Sequence, residues 1–342
     1  MANTSPSIEF YKSEGCPYLK EVAWRDEFLL TEGTYNHLVT IISINSISVL
    51  PTVLLNALVI FAVATRERLR NKSTILLACL AGADLLTGLV GQPIRIAVEV
   101  ERILKKGTFC GALERVSFVS VGCHIFATLT HLVLITIDRC IAVKKPLRYR
   151  DIVTTRRVIC GVLSAWGFTI YVTIQESILA AVNRASDIYN VYNNVSFSML
   201  TTFGLICIVF IIGIYLYIFS ETRRQQRTQT EHLSVEEIRT IRKNNKGAKT
   251  LGIILVVLTA TYLPAIIVII LGFSVSLERH VSNRFAGWAA TLIMLGSLCN
   301  PVIYCWRMKR FRRAFLQILH LGKQENNQPQ EAIQMQVIEQ VV

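Results

Sequence analysis

Apolar residues along most of this chain do not alternate with polar ones; they run on for whole helix lengths. Seven such runs are present: Leu38 to Ala64, Thr74 to Val98, Val116 to Ile137, Val158 to Val182, Val195 to Phe219, Thr250 to Leu277 and Phe285 to Trp306. Each suffices to cross a hydrocarbon core, which takes about 20 residues of helix. The first, third, fifth, sixth and seventh contain no Asp, Glu, Lys or Arg. A helix in a soluble core keeps a polar face, so the pattern predicts membrane spans. The exceptions are Asp84 and Arg95 in the second run and Glu176 near the end of the fourth. After the seventh run the period changes. From Arg307 to Leu319, Phe311, Phe315 and Leu319 recur at helical spacing among cations, which predicts a helix lying in the interface. A calmodulin-like or nucleic-acid target would look similar in isolation, but its place directly after a span favours the membrane. The fold class expected is an all-α membrane protein, a seven-transmembrane helix bundle with an amphipathic eighth helix.

Composition supports the same picture. Of 342 residues, 52% are hydrophobic and 17% charged, with a mean hydropathy of +0.45, whereas soluble domains are about one-quarter charged. An ordinary cytosolic enzyme is thereby disfavoured. The net charge of +13 would suit nucleic acid if the cations formed one face. Instead, 25 of the 36 Lys and Arg fall in 65–73, 138–157, 220–249 and the stretch after Trp306, all on one side of the expected membrane. Positive charge marks the cytoplasmic side, so the N-terminus is expected outside, the partners are anionic membrane lipids, and no nucleic acid is implied. The division that follows is an extracellular N-terminus 1–37, a seven-transmembrane bundle 38–306, and a cytoplasmic eighth helix and disordered tail 307–342. The first 37 residues lack an apolar stretch, so no cleavable leader is expected among them. Asn3 and Asn194 head glycosylation sequons on the outer side, while the sequon at Asn71 falls inside and should stay bare. None of the nine cysteines lies in a C-x-x-C pair, so no metal cluster of that kind is expected.

Landmark residues then fall one per span in a fixed order: Asn56; Leu80-Ala81-Gly82-Ala83-Asp84; Asp138-Arg139-Cys140 with Pro146-Leu147 beyond; Trp166; Tyr215; Pro264; and Asn300-Pro301-Val302-Ile303-Tyr304. In this ordered set the chain resembles the rhodopsin-like, class A G-protein-coupled receptors over residues 38 to 320. The resemblance implies a plasma-membrane receptor that binds an extracellular ligand and activates heterotrimeric G proteins, not an enzyme. It implies an activation switch of Asp138, Arg139, Tyr215, Tyr262, Pro264, Asn300, Pro301 and Tyr304, in which Asp138 holds Arg139 at rest and the kink at Pro264 lets the sixth span swing. Arg139, Pro146 and Leu147 would meet the G protein. Asp84, Thr128, Ser297 and Asn300 would hold a sodium ion as an allosteric ligand; the alternative is a carboxyl kept neutral by hydrogen bonds to the same partners. No other cofactor is expected.

Departures narrow the ligand. Residues 175 to 194 hold no cysteine, so the disulfide usual in the family is absent; Cys16 and Cys110, the cysteines expected outside, are either bridged to each other or both free. Tyr262 stands where the family has tryptophan, and Cys207 where it has proline; the missing outer-loop cysteine and missing helix-five proline are together similar to the melanocortin, cannabinoid and lysophospholipid cluster. Val121, 18 residues before Arg139, replaces the acid of amine receptors, and Met294 replaces the retinal-binding lysine of opsins. The pocket expected from the resemblance, Val121, Gly122, Ile125, Tyr262, Ala265, Ile266, Ile269, Ala290 and Met294, is apolar, which leans toward a lipid-like or peptide ligand. Arg95, Glu99 and Glu176 are the polar residues that could orient it, although snorkelling to the interface explains them equally. Cys305 to Val342 contains no Ser or Thr, so arrestin recruitment is expected through Thr228, Thr230, Ser234 and Thr240 of the third inner loop. The rival readings are a multi-span transporter, which would show paired repeats, and an intramembrane protease, which would need a second carboxylate or a Ser–His pair. Neither pattern is present.

Overall fold

The computed structural model describes residues 32–104, 112–181, 187–228, 252–253, 257, 261–262, 267 and 279–319. Six helices among them are long and apolar enough to cross a membrane. The first span is Glu32–Thr65, the third Ala112–Lys144, the fourth Thr155–Ala181, the fifth Asp187–Thr228 and the seventh Arg279–Arg307. The second runs from Lys72–Leu86 through a π turn at Thr87–Gly91 into Gln92–Leu104. The described residues of the expected sixth run are helical. Helices outlast their apolar runs at both ends because backbone hydrogen bonding does not stop at the hydrocarbon edge; Asn194 accordingly lies inside the fifth helix.

Local sequence explains the ends. Asn71 adopts an extended backbone and its side chain accepts from the Thr74 amide at 3.1 Å, an N-cap that starts the second helix. Met308 is extended too, with φ −110° and ψ 96°, and breaks the seventh span from the terminal helix Lys309–Ile318. The π turn is an extra residue in one helical turn, and it rotates the outer half of the second span relative to its inner half. At that turn Gly88 is required: a Cβ would come within 2.9 Å of Val53 Cγ2, so glycine lets the first and second spans touch.

Polar side chains tie the spans where no water competes. Asn56 donates to the Ser297 carbonyl at 3.1 Å, Asn45 to Thr291 Oγ1 at 3.2 Å, and Gln92 to Ser48 Oγ at 2.8 Å. The first span is thereby pinned to the seventh and the second. His131 meets the Trp166 ring edge-on at 5.4 Å, joining the third span to the fourth.

The terminal helix turns its apolar face onto the bundle. Phe311 is fully buried, and Ala314 and Phe315 are buried with it, because they close the end of the bundle beneath Tyr304, whose ring lies 5.8 Å from that of Phe311. Leu319, at the end of the same face, is 52% exposed.

Candidate functional site

Near the C-terminal end of the third span one carboxylate gathers two hydroxyl donors and a guanidinium. Asp138 is 4% exposed. Its Oδ2 accepts from Ser73 Oγ at 2.7 Å and lies 3.0 Å from Arg139 Nη2, and its Oδ1 accepts from Tyr149 Oη at 2.6 Å. Ser73 comes from the capped start of the second span, and Tyr149 from the short helix Tyr149–Ile152. Burial, and Asp138 beside it, push the Tyr149 hydroxyl up to about 12, so it remains a donor at any physiological pH. Such charge-assisted bonds are the stronger kind, and here they hold Arg139 against its own helix. Beyond Arg139 the chain turns through Pro146, and Leu147 is 61% exposed.

Other switch residues are placed as follows. Tyr215 and Tyr304 belong to one apolar layer with Leu132, Ile135 and Ile218; Tyr304 packs on Phe311 rather than on Arg139. The Tyr215 hydroxyl presses on Gly252 of the sixth span, where there is no room for a Cβ. Tyr262 packs with Leu129, Ile125, Cys207 and Ile293 in a second layer that joins the third, fifth, sixth and seventh spans. Pro301 lies inside the seventh helix. Pro264 is outside the described residues.

The polar core lies halfway along. Asp84 is fully buried, and its Oδ2 accepts from Asn300 Nδ2 at 2.7 Å, while Oδ1 has no hydrogen-bond partner among the described residues. Of the other two groups of the implied sodium set, Ser297 reaches both Asp84 and His124, and Thr128 lies against His124. Thr128 Oγ1 is 3.4 Å from His124 Nδ1, and Ser297, between Asp84 and His124, is 3.3 Å from His124 Nε2. Thr87, in the π turn, is closer still, 2.6 Å from Nδ1. Sodium is a hard cation that wants oxygen ligands converging on one point. Thr87, Thr128 and Ser297 thus crowd an imidazole, a nitrogen ligand that suits zinc or copper better than a hard cation. His124 is the residue that sequence reading missed. A signal was available: His124 and Thr128 share a helix face at i, i+4, and Asp84 and Thr87 share one at i, i+3.

The outer cluster is less like snorkelling than its sequence suggests. Glu99 is fully buried and pairs with Arg95 of its own helix and, at 3.0 Å, with Arg102. The Arg95 guanidinium lies over Gly287 of the seventh span, beside His37, whose ring meets Trp288 edge-on at 5.7 Å. Met294 and Ala290 are buried, Val121, Gly122, Ile125 and Glu176 are half-buried, and Met294 lies against Gly91. Ala265, Ile266, Ile269, Asn3, Cys16 and Cys110 lie outside the described residues, as does the side chain of Asn194. The seven cysteines within them are free.

A family model described as 7 transmembrane receptor (rhodopsin family) matches residues 55–304. Adenosine receptor A2a of Homo sapiens is 28% identical over 298 residues, covering 79% of this chain and 70% of its own length. The dog protein of that name is 27% identical over 305 residues, covering 81% and 71%. Trace amine-associated receptor 5 of Mus musculus is 28% identical over 292 residues, covering 80% of this chain and 83% of its own length.

Proposed function

The chain belongs to the rhodopsin family of seven-transmembrane receptors, a multi-pass plasma-membrane receptor that acts through heterotrimeric G proteins and is not an enzyme; from that premise we propose that release of Arg139 from Asp138 is its activating step and that its ligand is lipid-like or peptidic. The observation that carries the first part is the convergence of Ser73, Tyr149 and Arg139 on Asp138. Ser73 and Tyr149 stand on separate elements, so movement at the cytosolic face weakens the hold on Asp138 and frees the guanidinium for the G protein, with Pro146 and the exposed Leu147 as neighbouring contacts. Tyr262 and Ile125, packed in one layer, relay ligand occupancy downward toward Tyr215 and Tyr304.

Relatives named for adenosine and for trace amines match to the same degree, so neither ligand is carried over. What supports an apolar ligand is the lining: Val121, Gly122, Ile125, Ala290 and Met294 offer no charge, while Arg95 and Glu99 are spent largely on each other. The likeness to the melanocortin, cannabinoid and lysophospholipid cluster rests on sequence departures alone. On the same footing are an outside N-terminus with glycans at Asn3 and Asn194, and arrestin recruitment through the third inner loop. The test is guanine-nucleotide exchange on a co-expressed G protein in membranes, screened with lipids and peptides. Arg139→Ala should abolish exchange at unchanged surface expression; undiminished exchange would refute the switch.

A further inference from the structure

The polar core poses a question of occupancy. Asp84 Oδ1 is a buried acceptor with no hydrogen-bond partner among the described residues, an expensive arrangement in hydrocarbon. A cation beside it would need further oxygens, and in this bundle the nearest hydroxyls are Thr128 and Ser297. The two hydroxyls face different nitrogens of one ring, Thr128 at Nδ1 and Ser297 at Nε2. The imidazole therefore stands between them. An ion bridging both would have to take the place the ring holds.

The ring is not free to leave. Thr87 Oγ1 lies 2.6 Å from His124 Nδ1 and 3.2 Å from the Ala83 carbonyl, and Ser297 Oγ lies 3.3 Å from Nε2. The anchoring hydroxyl sits in the π turn of the second span, which is rigidly packed because Gly88 touches the first span. His124 thus links the second, third and seventh spans with hydrogen bonds that an ion would otherwise supply. Imidazole nitrogen, moreover, is a ligand that suits zinc or copper rather than hard cations.

We propose that His124 is a built-in occupant of the receptor's mid-membrane polar site, which excludes sodium while leaving a latent cation site at Asp84 that opens when the ring is removed. The consequence is a receptor whose resting state is set by side chains alone, independent of sodium.

Purified receptor, heated at a series of sodium chloride concentrations with choline chloride holding ionic strength constant, tests this. Wild type should show no sodium-specific change in unfolding midpoint. His124→Ala should gain one, a rise of about 2–4 °C between low-millimolar and physiological sodium, and Asp84→Asn in that background should erase it. His124→Asn, which keeps a polar group within the site, serves if the alanine variant does not fold, and should gain the same dependence. A saturable, sodium-specific rise in wild type overturns the proposal at once. So does a flat response in a folded His124 variant, since it would mean that no latent site lies behind the ring.

Discussion

Asp138 and Asp84 are both buried carboxylates of one bundle, yet they are held in opposite ways. Asp138 sits near the C-terminal end of the third span and takes hydrogen bonds from Ser73 and Tyr149 and an ion pair from Arg139, on three different helices. Asp84 lies deep between spans and takes hydrogen from Asn300, its Oδ1 having no partner among the described residues. The contrast teaches where a receptor can store a switch. A carboxylate with several donors on separately moving elements holds one state until those elements part. A carboxylate with one short bond in a packed core holds no state by itself; its neighbours decide what it can do, and here the neighbour is His124.

If the first carboxylate is the latch, removing its charge should have the largest effect on signalling. Asp138→Asn takes away the ion pair to Arg139, and hydrogen bonds to charged groups contribute about 1.5–3 kcal/mol. Basal nucleotide exchange should rise tenfold or more, limited by the assay's ceiling, at unchanged surface expression. A basal rate equal to wild type would break the comparison. Tyr149→Phe removes one donor to that carboxylate, at the low end of the same range, about 1.5 kcal/mol, and should raise basal exchange about tenfold at most. The pH dependence sharpens this. The Tyr149 hydroxyl is raised, by burial first and Asp138 second, to about 12. Its contribution is therefore complete below the ordinary tyrosine value and lost only as pH climbs through about 12. The ratio of Tyr149→Phe to wild-type basal exchange should be flat between about pH 6.5 and 8.5; a ratio that collapses in that window would mean the bond is made by another group.

A smaller effect is expected from the sixth span. Many relatives hold the same arginine with an acid 20 residues before the helix-six proline; in this chain that position is Asn244, near Lys243 and Lys246. Asn244 is outside the described residues, and the expectation rests on charge alone. An exposed pair contributes about 0.5 kcal/mol, so Asn244→Glu should lower basal exchange about twofold. An increase would show that added negative charge works against the latch.

Much of this was legible in the sequence. The spans were, because a helix that cannot hydrate its backbone must be apolar throughout, and that leaves long unbroken runs. The neighbours Asp138 and Arg139 were, because adjacency needs no fold to bring them together, and Asn300 was placed opposite Asp84 through its motif. Ser73 and Tyr149 were not legible, since the cap at Asn71 and the turn after Pro146 must fold before either reaches Asp138. Glu99 with Arg95 and Arg102 shows helical pair spacing, but periodicity cannot tell a buried pair from one at the interface. His124 was missed for a related reason: its i, i+4 spacing to Thr128 is a faint signal by itself, and its other partners come from the second and seventh spans.

The other side of the comparison gives the smallest expected effect. Asp84→Asn keeps an oxygen to accept from Asn300 and exchanges Oδ1 for an amide. The loss is a buried carboxylate oxygen with no hydrogen-bond partner among the described residues; the gain is a buried neutral donor, whose unmet hydrogen bond costs about 1–3 kcal/mol, while burying an ionised group in hydrocarbon costs several. The two changes offset. The unfolding midpoint should therefore stay within about 3 °C of wild type, and basal exchange within about twofold, in contrast to the tenfold rise for the same change of side chain at Asp138. Thermal unfolding of the two variants side by side, with nucleotide exchange on the same preparations, measures the difference directly. A fall in midpoint of 5 °C or more for Asp84→Asn would show that this carboxylate is held by more than Asn300, and that the two acids of the bundle are held alike.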